Sequence, residues 1–141
     1  MGIPIFINYH GHPKIEQLPQ GDWIDLATIE DVNLNPNQFS LISFGISMQL
    51  PHEYEAIIAP RSSTFKKWGI LQANSIGVID NSYCGDDDIW MMPVWSTKEV
   101  HIPAGTRIAQ FRIQQKQPSV ELISVNSLGN NNRGGFGSTG D

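Results

Sequence analysis

Cysteine is nearly absent from this sequence: Cys84 is the single one in 141 residues. A lone cysteine builds no disulfide framework and has no partner for a CxxC metal or redox site, which predicts an intracellular, reducing setting. No apolar run approaches the ~18 residues of a membrane span. The opening residues, MGIPIFINYHGHP, lack a basic leader followed by an apolar stretch and a small-residue cleavage site, and Phe6 stands where a myristoylation signal wants Ser or Thr. These absences predict a soluble, untargeted, cytoplasmic protein without a membrane partner. Charge is sparse too, at 16% of residues, with nine Lys plus Arg against fourteen Asp plus Glu and a net charge of −5. That balance argues against a broad surface for duplex nucleic acid, yet leaves room for a small anion held by two or three local basic groups.

What the sequence does contain is apolar residues and chain-breakers. Forty per cent of the chain is hydrophobic, enough to bury a core, and 13 Gly with 9 Pro predict frequent turns rather than disorder. The length suits one domain. Residues 41–50 alternate cleanly: Ile42, Phe44, Ile46, Met48 and Leu50 against Ser43, Gly45, Ser47 and Gln49, the period of a half-buried strand. Residues 107–114 read the same way, with Ala109, Phe111 and Ile113 facing one side, and with Arg107 and Gln110 on opposite faces. Further strands are expected at Ile3–Tyr9, Glu55–Ala59, Ile76–Ile79, Ile89–Trp95 and Val120–Val125. Only Ser62–Leu71 reads as a helix, with Ser62 or Ser63 as its cap and Phe65 and Trp68 on one face. From Leu128 onward the apolar pattern stops and Gly, Asn and Ser dominate. The expectation is therefore an all-β domain over residues 1–127, a sandwich or barrel with one short helix, followed by a flexible C-terminal arm over 128–141.

Several segments carry candidate chemistry, each with a plainer structural alternative. Ala59-Pro60-Arg61-Ser62-Ser63-Thr64 ends a strand and opens the helix, so it suits a phosphate, with Arg61 as a clamp, or simply a helix cap with a surface arginine. In Asn74-Ser75-Ile76-Gly77-Val78-Ile79-Asp80-Asn81-Ser82-Tyr83, Asp80 is either a hairpin-turn residue or a carboxylate lifted at a strand end to orient a water. Tyr83 then offers a flat ring to a sugar or base. Gln110 lies off the apolar face and is available to a ligand oxygen or to solvent. The tail Arg133-Gly134-Gly135-Phe136-Gly137-Ser138 suits a linker or a phosphate-covering lid. His10, His12, His52 and His101 have no zinc-ligand spacing, Asp86-Asp87-Asp88 reads as a solvated turn or a weak cation site, and no Ser or Cys triad is visible.

Together and in order, these segments resemble the five motifs of the trimeric dUTP diphosphatases. Gly21-Asp22-Trp23-Ile24-Asp25-Leu26 is similar to motif one, Pro60-Arg61-Ser62-Ser63 with Lys67-Trp68-Gly69-Ile70 to motif two, and Gly77-Val78-Ile79-Asp80-Asn81-Ser82-Tyr83 to motif three. Gly105-Thr106-Arg107-Ile108-Ala109-Gln110 is similar to motif four and Gly135-Phe136-Gly137-Ser138-Thr139-Gly140 to motif five. The chain departs from the family pattern at Trp23-Ile24 before Asp25, at Ser63, at Thr106, and in placing Arg133 three residues before Phe136 rather than five.

The resemblance implies a distorted jelly roll of the β-clip type and a homotrimer with three active sites shared between subunits. It implies hydrolysis of dUTP to dUMP and pyrophosphate with Mg²⁺, by water attack on the α-phosphate. That reaction limits uracil incorporation into DNA and supplies dUMP for thymidylate synthesis. By position, Asp80 would activate the water, and Tyr83 would pack under the deoxyribose. Asn74, Gly77 and Ile79 would read the uracil edge, while Arg61, Ser62, Ser63 and Gln110 would bind phosphate oxygens. Arg133, Phe136, Gly137 and Ser138 would close over the substrate, and Asp25 would meet the metal through water only. A dCTP deaminase shares the fold and an Arg-Ser-Ser segment, but needs a buried Glu about ten residues beyond Asp80, and Ile89–Ser96 contains none. A regulatory or interaction protein that keeps the fold is the reading of a different class, and the intact motifs favour the enzyme.

Overall fold

In the computed structural model, which describes residues 2–137, eleven strands and one helix are found among the described residues. Strands β2 (Ile24–Ala27), β6 (Tyr54–Pro60), β8 (Gly77–Ile79) and β11 (Arg107–Gln115) form a four-stranded antiparallel sheet in the order β2-β11-β6-β8. Facing it is a three-stranded sheet of β4 (Phe39–Ser43), β9 (Met91–Ser96) and β7 (Ile70–Gln72), in the order β4-β9-β7. Two ribbons complete the jelly roll, β1 (Phe6–Asn8) with β5 (Ser47–Gln49) and β10 (Val100–Ile102) with β3 (Val32–Leu34).

The core lies between the two larger sheets and is built by the alternating residues of each strand. Leu26, Ile58, Ile70, Met92, Val94, Ile108, Ala109 and Phe111 are all buried there, with Trp90 meeting Phe111 edge to face at 5.2 Å between ring centroids. Such a pair adds about 0.5–1.5 kcal/mol beyond its buried area.

Three expectations from the sequence require correction. The alternation of residues 41–50 is real, and Ile42, Phe44, Ile46, Met48 and Leu50 are all core, but the segment is two strands rather than one. Gly45 breaks it at φ +68°, packed so closely that a Cβ there would lie 2.7 Å from Ile29 and 2.8 Å from His12. The chain thereby passes from pairing with β9 to pairing with β1. The helix α1 is only Thr64–Trp68, because Gly69 adopts the left-handed conformation and closes it with an N–H bond to the Phe65 carbonyl; Ile70–Gln72 is then strand. Phe65 is exposed while Trp68 is half-buried, so the two do not share a buried face. Val120–Val125 is not a strand: it follows Pro118 beyond the end of β11, and Val120, Leu122, Ile123 and Val125 are 56–94% exposed. A strand requires a paired neighbour, and a single copy of the chain supplies none at this segment.

Candidate functional site

One end of the four-stranded sheet gathers a cluster of charged and amide groups. Asp25 on β2 stands directly opposite Gln110 on β11, and Gln110 opposite Ala59 on β6, so their side chains share the outer face of the sheet. β6 ends at Pro60, which delivers Arg61 to the same corner. The Arg61 Nε lies 3.2 Å from Asp25 Oδ1, and its guanidinium donates to the Arg107 carbonyl at 3.3 Å. Gln110 donates to the Pro60 carbonyl at 3.1 Å. Asp25, Arg61, Ser62 and Gln110 line one side of a cavity of about 350 Å³ whose other wall is the segment from Glu16 to Trp23. Of the expected phosphate-binding residues, the structure therefore brings Arg61, Ser62 and Gln110 together with Asp25, and Ser63 sits immediately beyond at the head of α1.

Two residues of this corner escape a reading by composition alone. Thr64 is buried, accepts a bond from the Arg61 N–H at 3.0 Å and donates to the Ile108 carbonyl at 2.7 Å, so it ties the Arg61 turn to β11. Its signal in the sequence is only a hydroxyl among three. Arg107 approaches Asp25 Oδ2 at 3.8 Å and Glu16 at 3.6 Å. The strand period places Arg107 and Gln110 on opposite faces; the structure places both on the outer face. A bulge is responsible: Arg107 pairs with Ala27 and Ala109 with Leu26, so Ile108 is an extra residue that resets the alternation, and Ile108 and Ala109 are both buried.

Asp80 lies elsewhere. It follows Ile79, which pairs with Ala56, and Ala56 precedes Arg61 by five residues, about 17 Å of strand. Asp80 Oδ2 accepts the Ser82 N–H at 2.9 Å and the Ser82 hydroxyl, and its carbonyl accepts the Tyr83 N–H at 3.0 Å. The Ser82 hydroxyl bond first, and then the Ser82 N–H bond, hold this exposed carboxyl below the ordinary aspartate range, with a smaller contribution from the Lys116 charge. The Tyr83 hydroxyl donates to the Ile89 carbonyl at 2.9 Å, which fixes a ring that stays 38% exposed. The turn at Asp80–Ser82 is real but joins no hairpin, since β8 pairs with β6 and the next strand, β9, belongs to the other sheet.

Between β7 and β8 the chain arches through Asn74, which is exposed, and Ser75, which adopts the left-handed conformation at φ +63°. A non-glycine residue held there is a strained position of the kind found at binding sites. Gly77 owes its identity to packing: a Cβ would lie 3.2 Å from Ile58 Cβ and 3.3 Å from the Gln72 amide. Arg133 and Phe136 are exposed in the arm, and Gly137 follows with φ +79°. The structure does not bring them to the cavity, and Ser138 lies outside the described residues.

The family model described as dUTPase matches residues 21–140. The chain is 51% identical over 127 residues to the SPbeta prophage-derived deoxyuridine 5'-triphosphate nucleotidohydrolase YosS of Bacillus subtilis, covering 90% of this chain and 89% of that one. It is 42% identical over 120 residues to the deoxyuridine 5'-triphosphate nucleotidohydrolase of Hydrogenobaculum, covering 83% and 82%. Among solved structures, a Staphylococcus bacteriophage 80alpha dUTPase variant with dUpNHpp superposes with a TM-score of 0.79 at 18% identity, over 98% of this chain and 99% of that one. A variant dUTPase from phage phi11 of S. aureus, which coordinates a structural Mg(II) ion, superposes with a TM-score of 0.75 at 16% identity, over 89% and 99%.

Proposed function

The chain belongs to the dUTPase family and hydrolyses dUTP to dUMP, and we propose that Asp80 and the Arg61–Gln110 cavity serve one reaction from different copies of the chain. The observation that carries this reading is their separation by about 17 Å along β6, too far for both to meet one α-phosphate. The homotrimer with shared sites implied by the family resemblance meets that requirement.

In this reading the triphosphate enters the cavity, where the Arg61 guanidinium, the Ser62 hydroxyl, the Ser63 N–H and the Gln110 amide face its oxygens. Phosphoryl chemistry asks the protein chiefly for positioning and charge neutralisation, which these donors supply. Asp80 of another copy holds a water against the α-phosphorus. As the water oxygen bonds to phosphorus, the Asp80 carboxylate takes its proton, the bond to the bridging oxygen breaks, and pyrophosphate leaves with the electron pair. The arch at Asn74, with the backbone of Gly77 and Ile79, reads the uracil edge. A hydrogen-bonding edge rejects the wrong base more strongly than an apolar slot. The Tyr83 ring lies under the deoxyribose and occupies the space of a 2′-hydroxyl.

The donor set fits Mg²⁺ carried by the substrate. No group of three or more His, Cys, Asp or Glu that could hold a metal occurs among the described residues, whereas Mg²⁺ is characteristically held by one or two carboxylates, substrate phosphates and waters. Asp25 faces Arg61 with one oxygen and Arg107 with the other, which favours contact through a water over direct ligation. The ion would supply charge neutralisation and alignment of the triphosphate. Residues 128–141 act as the covering arm, with Arg133 reaching the phosphates and Phe136, Gly137 and Ser138 closing over the base. No helix among the described residues is long and apolar enough to cross a membrane, and the exposed Cys84 accords with a reducing cytoplasm.

The test is Asp80→Asn, which still positions a water but cannot accept its proton. We expect unchanged binding of dUpNHpp and a kcat lower by roughly 10²–10⁴. Turnover near the wild-type rate would reduce Asp80 to a turn residue.

A further inference from the structure

We propose that Asn81 is the positioning residue of Asp80, clamping the turn that carries the carboxylate to the head of β6. This rests on the reading of Asp80 as the base. The Asn81 side-chain amide donates to two carbonyls at once, Pro51 and Tyr54, each at 2.9 Å. Both hydrogens of the amide nitrogen are thereby used, and Asn81 is half-buried where Asp80 and Ser82 on either side are exposed. The acceptors belong to a tight turn, closed by the Tyr54 N–H to the Pro51 carbonyl at 3.1 Å, with Glu53 in the left-handed conformation at φ +68°. That turn is fastened in its own right to the end of β11. The Lys116 N–H donates to the Glu53 carbonyl at 3.0 Å, and the Lys116 ammonium lies 3.6 Å from the Glu53 carboxylate.

A consecutive division of labour follows along three residues. Ser82 orients the carboxylate within its turn through its N–H and hydroxyl. Asn81 fixes that turn to the sheet. Asp80, exposed, presents its carboxylate to the reacting water. Without Asn81, the Ser82 bonds persist, but the turn as a unit is free to shift relative to the sheet. A base that must stand within hydrogen-bond reach of a water loses rate steeply with such displacement.

The experiment compares Asn81→Ala and the isosteric Asn81→Asp, which faces two carbonyls with no donor, in the wild-type and Asp80→Asn backgrounds, using the full chain. Measured quantities are kcat, the Kd for dUpNHpp and the thermal midpoint without ligand. Expected is a loss of kcat of about 10- to 100-fold with Kd changed by less than about twofold, and no further loss in the Asp80→Asn background, because a residue acting through Asp80 has nothing left to position. Asn81→Ser, which keeps one donor, supplies the graded case should the other two fail to fold, with an intermediate loss. Equal relative losses in both backgrounds would make Asn81 a structural residue and overturn the proposal, as would an unchanged kcat. An Asp80→Asn enzyme of nearly full activity would overturn the assignment of Asp80 itself, and the role of Asn81 with it.

Discussion

Asp80 and Arg61 stand at opposite ends of β6, on segments that flank the same strand, with the Asp80 turn pinned at its head by the bonds from Asn81 to Pro51 and Tyr54. One strand thus separates the group expected to activate water from the group expected to hold phosphate. The arrangement predicts complementation. Asp80→Asn and Arg61→Ala enzymes, each nearly inactive, should regain activity when unfolded and refolded as an equimolar mixture, because some mixed sites draw an intact Asp80 from one copy and an intact Arg61 from another. Random assembly of a ring with one shared site per contact restores about a quarter of the sites. Pyrophosphate release no higher than the sum of the separate variants would show that each site belongs to a single chain.

A second prediction concerns the charge state of Asp80. Its carboxyl is held below the ordinary aspartate range mainly by the Ser82 hydroxyl. Ser82→Ala should move its titration upward, toward the ordinary value of about 3.9, as read by a carboxyl NMR titration. The depressed value means that the folded turn favours the ionised form. Its contribution to stability is therefore present above the ordinary aspartate pKa and is lost as the pH falls through the folded value. A midpoint that stays put in Ser82→Ala would show that other groups set it.

The third concerns the arm. Leu128 is 82% exposed and Phe136 fully so, and Gly129, Gly134 and Gly137 have φ of 70°, 83° and 79°. Ordering so many glycines is entropically costly without a ligand. Truncation after Gly129 should cut kcat strongly while leaving the ligand-free thermal midpoint within a few degrees, and Arg133→Ala should reproduce part of the loss. Full-rate turnover by the truncated enzyme would make the arm a linker.

How far the sequence anticipates this structure depends on whether a residue's role is local. Alternation located the buried side of residues 41–50 and of β11 from Ala109 onward, where a side chain's face follows from its parity, but it put Arg107 on the wrong face, because a bulge is set by the partner strand. It missed the short strands β2, β3, β7 and β10, of three or four residues each, where too few positions exist to establish a period. It also read Val120–Val125 as strand on local pattern, although a strand's existence depends on what lies beside it. The motifs identified Arg61, Ser62, Gln110 and Asp25 as a set, and the structure assembles them. Thr64, Arg107 and Asn81 were invisible as functional partners, because their meaning lies in carbonyls and carboxylates distant in sequence: Ile108, Asp25, and the pair Pro51 and Tyr54.

The bulge in β11 acts on the sheet as a single-base insertion acts on a gene. Upstream of Ile108 the strand is read in one frame and downstream in the other, and the two frames happen to deliver Arg107 and Gln110 to the same surface. Were the same residues paired regularly through Ile108, without the bulge, every letter would be unchanged, yet the guanidinium would turn inward, among Leu26 and Phe111, where an unpaired charge has no place. The shift in register at Ile108, more than the spacing of the letters, is what sets the guanidinium and the amide side by side.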